Sequence, residues 1–147
     1  MRPFALAAPL MLIATLASAS PFTAKTSPHD VATTMDRLAA TVEGAGATIF
    51  ARIDHAAGAA KVGQELAPNQ VLIFGNPKLG TPMMQSAPSM GLDLPLKVQV
   101  YRAADGSVLV VYRSMDGLAA EHGADSPALA KAAGALNKFT EKAIAAE

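Results

Sequence analysis

Apolar positions recur along this chain with two different periods, and the switches between them mark out its elements. Val31, Met35, Leu38, Ala39 and Val42 fall at helical spacing and predict an amphipathic helix. Ser27-Pro28-His29-Asp30 gives it a start: a serine cap, a proline in the first turn and an acidic group facing the positive end of the helix dipole. Gly44 and Gly46 give it an end. A second such face, made of Leu129, Ala132, Ala133, Leu136, Phe139 and Ala143, follows Ser126-Pro127 and predicts a terminal helix.

The segments in between alternate with period two. Residues 47–54 put Ile49, Ala51 and Ile53 on one face and Thr48, Phe50 and Arg52 on the other. Phe50 among polar neighbours implies that this second face is also partly covered. Residues 70–74 form a strand whose apolar run is Val71 to Phe74, and Leu96, Val98 and Val100 alternate with Lys97, Gln99 and Tyr101. Asp105-Gly106 predicts a hairpin from that strand into residues 107–113. Residues 21–26 complete five strands. Residues 55–63, 78–87 and 116–122 read as short helices, the second capped at Asn76 or at Thr81. The resulting order is strand, helix, four strands with short helical insertions, and a last helix. That predicts an α+β fold, a mostly antiparallel five-stranded sheet with two long helices.

Leu109 and Val111 lie on the opposite face of the last strand from Val108, Val110 and Tyr112, and Tyr101 adds to one such surface. Two helices cover one sheet face well and leave the other apolar face in need of a partner. A homodimer is expected on that ground, the alternative cover being the short insertion helices of the chain itself.

The first 19 residues stand apart. Arg2 precedes an apolar run over residues 4–16, and Ala17-Ser18-Ala19 is a small-residue cleavage site, so they read as a secretory signal peptide. The run is too short to span a bilayer, which takes about 20 apolar residues. Residues 20–147 then form a single periplasmic or secreted domain, without a stable membrane anchor after cleavage. Without Arg2 it carries 11 basic and 12 acidic residues, a formal charge of −1, and few aromatics. That is no footprint for nucleic acid. The chain has no cysteine, which removes disulfides, thiolate chemistry and zinc–thiolate sites.

The segments ARIDHA (residues 51–56), VLIFGNP (71–77), GTPMMQ (80–85) and GLDLPLKVQVY (91–101), with the Asp-Gly hairpin after them, resemble the DUF302 family in order and spacing. The resemblance spans about residues 22–145. It implies a fold similar to the TATA-binding-protein-like β-α-β4-α arrangement, and dimerisation. It implies no activity, since the family is defined by an unassigned function, and likeness of fold to nucleic-acid binders does not carry their function.

Candidate chemistry concentrates between the strands at 71–74 and 96–100, where about twenty residues rich in Pro, Gly and Met exceed what a connection needs. Residues 75–81, Gly-Asn-Pro-Lys-Leu-Gly-Thr, have the glycine spacing of a P-loop. Thr81 stands where the phosphate-binding lysine belongs, which excludes nucleotide hydrolysis. What remains is a strand ending at a helix N-terminus beside Lys78, suited to an anion. The leading expectation is therefore a binding or interaction module for a small anionic or amphipathic ligand, with His55, Asn76, Lys78 and Thr81 at the site. An alternative is a small hydrolase or isomerase with His55 as acid–base. A second alternative binds Cu(I) through the thioethers of Met83, Met84 and Met90, with Met115. His29 and His122 are expected to be solvated residues at helix ends. No cofactor motif is present.

Overall fold

The structure is a computed structural model that describes residues 21–146, so the signal peptide expected at residues 1–19 lies outside the described residues. Strand β1 (Phe22–Ser27) leads into helix α1 (Val31–Gly44). Asp30, not Ser27, caps α1: its carboxylate accepts the Thr33 N–H at 2.7 Å. Ser27 has a different task. It pairs with Val108 as the last residue of β1, and its hydroxyl meets Thr34 Oγ1 at 2.7 Å inside the domain. Strand pairing across the molecule holds Ser27 extended and delays the helix by three residues.

Next come β2 (Thr48–Asp54), α2 (His55–Lys61), β3 (Asn69–Gly75) and α3 (Pro77–Ser86). A short 3-10 turn (Pro88–Leu92), β4 (Leu96–Arg102), β5 (Val108–Arg113), α4 (Met115–His122) and α5 (Pro127–Ile144) complete the chain. Asn76 is the cap of α3, accepting the Lys78 N–H at 2.9 Å, so Thr81 and Pro82 lie within the helix. The strands form one antiparallel sheet in the order β1-β5-β4-β3-β2. The two long helices and the shorter insertions fit the predicted β-α-β4-α plan.

One sheet face is the core. Leu72, Phe74, Val98, Val100 and Val110 lie under Met35, Leu38 and Val42 of α1 and Ala132, Leu136 and Phe139 of α5. The Phe74 and Phe139 rings meet edge to face at 6.1 Å. Burial of this apolar surface is the main stabilising term.

The expected alternation in β2 is broken. Ile49 pairs with Phe74, but Ala51 pairs with Ile73, leaving Phe50 as the extra residue of a β-bulge. Side chains directly opposite in an antiparallel pair share a face. Ile49 therefore faces the helices with Phe74, while Ala51 and Ile53 turn to the opposite face with Ile73 and Val71. Arg52 shares the helix side with Leu72 and reaches Asp36 of α1. Phe50 is 59% exposed, so it does not report a second covered face. On that other face Phe22 and Ile53 are exposed, and Tyr101, Leu109 and Val111 are only partly covered.

Candidate functional site

The sheet and helices do not close completely at the end where β3 meets α3. Small residues sit there on every wall: Ala45 and Ala47 after α1, Gly75 at the end of β3, Gly80 in α3, and Ala132 and Ala135 on α5. Side chains this short leave a space between α3, α5 and the sheet edge that the larger neighbours do not fill. The result is a cavity of about 500 Å³, within the usual range for small-ligand sites. Phe50, Phe74, Met83, Leu94, Leu136 and Phe139 supply its bulk walls. Its bulge puts Phe50 at this end of β2, and a Cβ on Gly75 would lie 3.4 Å from both the Phe50 ring and Pro95.

The polar groups on the lining are few: Asn76, Thr81 and Lys138. Asn76 spends its side-chain oxygen on the α3 cap. Such a surface can hold hydrocarbon and orient a polar end. It contains no acid–base pair.

The predicted site residues divide. Asn76 and Thr81 line the cavity; Lys78 is exposed and does not. The start of α3 has no backbone donor to spare for an anion. Lys78 N–H goes to the Asn76 side chain, Leu79 and Gly80 N–H go to the Asn76 carbonyl at 2.9 Å each, and Pro77 has none. His55 is at the other end of the sheet. Thr48 pairs with Gly75 and Asp54 with Gln70, so the length of β2, roughly 20 Å at the usual rise per residue, separates it from the cavity. Its imidazole is exposed at the start of α2, where Asp54 forms the cap. Met83, Met90 and Met115 are core-filling side chains 2% exposed or less, while Met84 is on the surface and the cavity wall. Among the described residues no group of three His, Asp or Glu side chains is placed to hold a metal.

His29 Nε2 meets the Ala145 carbonyl at 2.9 Å, whereas His122, whose side chain is only 8% exposed, has side-chain partners at both ring nitrogens. Its Nε2 lies 2.7 Å from Asp93 Oδ2 and its Nδ1 2.9 Å from Ser89 Oγ. A carboxylate only accepts, so Nε2 carries a proton there. Asp93 Oδ1 accepts from Arg113 at 2.9 Å, and Arg113 also pairs with Glu121. The His122 hydrogen bond, followed by those from Arg113, holds the Asp93 carboxyl below the usual carboxylate range against the opposing effect of burial. The hydroxyl–imidazole–carboxylate sequence looks like a nucleophile relay, but Arg113 occupies the carboxylate and none of the three residues lines the cavity. It ties the 3-10 turn, the end of β5 and the end of α4 together. Sequence reasoning missed it because His122 lies 33 and 29 residues along the chain from Ser89 and Asp93.

Residues 23–146 match the family described as a domain of unknown function, DUF302. This chain belongs to the DUF302 family. A crystal structure of an uncharacterised conserved DUF302 protein from Bacillus stearothermophilus has the same fold, with a TM-score of 0.69 at 18% identity over 86% of this chain and 97% of that one. The DUF302 chain is also 40% identical over 96 residues to fluoride-specific ion channel FluC 1 of Brucella suis and to its namesake from Brucella abortus. That segment is 65% of this chain but only 38% and 36% of those proteins. No described helix of this DUF302 chain is long and apolar enough to cross a membrane.

Proposed function

We propose that this protein is an exported binding module whose cavity between α3, α5 and the sheet edge takes the hydrocarbon part of an amphipathic ligand. The observation that carries this is a cavity of about 500 Å³ with an almost wholly apolar lining, beside the long segment at residues 75–94. The FluC relatives extend well beyond the segment they share with this chain, which fits a module that works beside other parts.

The physics sets a graded expectation. Each buried methylene contributes about 0.8 kcal/mol, close to a fourfold gain in affinity. Displacement of an environment-sensitive dye by straight-chain alcohols should therefore strengthen with chain length until the cavity is full. Ala135→Phe, which fills the space from α5, should abolish it. Affinity independent of chain length, or unchanged by Ala135→Phe, would remove the proposal.

Native mass spectrometry of the protein recovered from its own periplasm reads three further consequences at once. The chain is expected to begin at Ser20, to carry a recurring small-molecule mass, and to appear as a dimer joined through the uncovered sheet face. A chain retaining Met1 would sink cleavage after Ala19. A single-chain mass persisting across a wide concentration range would sink the dimer.

A further inference from the structure

The cavity does not end at α5. A second one of about 420 Å³ lies along the groove between α1 and α5, lined by Ala40, Thr41, Gly44 and Lys142. It shares Ala45, Lys138 and Phe139 with the first, so the two adjoin. One compartment is nearly all carbon, and the other brings in a second lysine four residues along α5. We infer that the ligand is a single-chain amphiphile with an anionic head, its hydrocarbon in the larger cavity and its head between Lys138 and Lys142. This rests on the reading of the larger cavity as a hydrocarbon site.

The state of the cations supports it. Lys25 is bonded to Asn137 and Thr140, Arg52 to Asp36, and Arg113 to Asp93 and Glu121. Among the described residues, the ammonium groups of Lys138 and Lys142 have no such partner, as is also true of Lys61, Lys78 and Lys131. Of these five only Lys138 and Lys142 line a cavity. Like charges one helical turn apart repel. Lys142 has a structural reason to be there, since it complements the negative end of α5. Lys138 lies a turn further in and has none, yet it stands on the boundary of both cavities. Three carbonyls in the last turn of α1, those of Thr41, Val42 and Glu43, would repel an anion but already accept N–H groups from Ala45, Gly46 and Ala47. An anion in the groove relieves the lysine repulsion while its chain reaches the apolar compartment. Lysine is a point charge without the planar fork of arginine, so the site should select charge over head-group shape.

Calorimetric titration of the mature protein with dodecanoate, dodecanol and dodecyltrimethylammonium, below their micellar concentrations, tests this. Dodecanoate is expected to bind at least tenfold more tightly than dodecanol, and the cation most weakly. The double variant Lys138→Met, Lys142→Met, which keeps the side-chain length at the cavity boundary, should erase the preference for dodecanoate. Lys142→Ala, at a residue outside the larger cavity, should weaken dodecanoate while leaving dodecanol affinity within twofold. Added salt should weaken dodecanoate alone. An unchanged dodecanoate-to-dodecanol ratio in the double variant overturns the head-group assignment while the hydrocarbon site stands. Failure of both amphiphiles to bind overturns the hydrocarbon site and this inference with it. Co-sedimentation with anionic diacyl vesicles that survives Ala135→Phe would point to a lipid surface as the source of the head group, and would also overturn it.

Discussion

Leu38→Ala is expected to destabilise the domain by about 2–5 kcal/mol, a large part of the roughly 5–15 kcal/mol that holds a typical domain folded. Leu38 is fully buried on the inner face of α1, against the sheet and α5. It lines neither cavity, so the atoms removed leave a closed void instead of merging with existing space. The helix backbone around it is tied at both ends, by the Asp30 cap and by the bonds of residues 45–47, which limits collapse into the gap. Urea denaturation should show a lower midpoint at an unchanged slope. Leu92, in the 3-10 turn and 82% exposed, is the internal comparison: Leu92→Ala should fall within about 0.5 kcal/mol of the parent. Equal effects at the two positions would mean that the core is not where α1 and the sheet place it.

Asp93→Asn is the second large effect, about 1.5–3 kcal/mol at neutral pH, the range for hydrogen bonds to charged groups. The carboxylate is the junction of the polar cluster, and its side chain is only 22% exposed. The amide keeps one acceptor oxygen but loses the charge and sets an NH2 donor against the donor of either Arg113 or His122. Arg113 retains Glu121, but that side chain is 56% exposed and compensates little. The pH dependence follows from the direction of the shift. The folded-state pKa of Asp93 lies below the ordinary carboxylate value. Its stabilisation is therefore complete above the unfolded pKa of about 3.9 and is lost as pH falls through the lower folded value. The gap between parent and variant should be wide at about pH 6 and narrow towards about pH 2. Asp30 and Asp105 are also held low, by hydrogen bonds to Thr33 and Ser107, but they are common to both proteins and cancel. A gap that stays constant over this range would show that the variant acts through shape and not through the carboxylate charge.

Much of the architecture was legible because it depends on neighbours within a few residues. The apolar faces of α1 and α5, the Ser126 cap and the hairpin at Asp105-Gly106 are local arrangements whose spacing is written in the chain. For α3 the chain offers two caps, Asn76 and Thr81, of which the fold uses Asn76. The position of the candidate site was half legible. Asn76 and Thr81 are on the cavity, because the long segment of Pro and Gly that contains them does form one wall. The small residues of α5, Ala132 and Ala135, were a signal that a helix there leaves space. Read alone, they look like ordinary core.

Local patterns in the chain are enough to give its elements, its family and the apolar face that each helix buries. Where those faces meet imperfectly depends on the assembled fold. Ser27 stays in a strand because Val108 pairs with it, and Phe50 bulges out because β3 accepts Ile49 and Ala51 in consecutive positions. His122 is packed and not solvated because Asp93 and Ser89 fold back onto it. Lys138 stands at a cavity mouth because α1, α3 and α5 converge on its turn of helix. Backbone propensity and side-chain periodicity act over a few residues, whereas a cavity is the volume left between elements distant in sequence. It belongs to no single segment, and no local pattern records it.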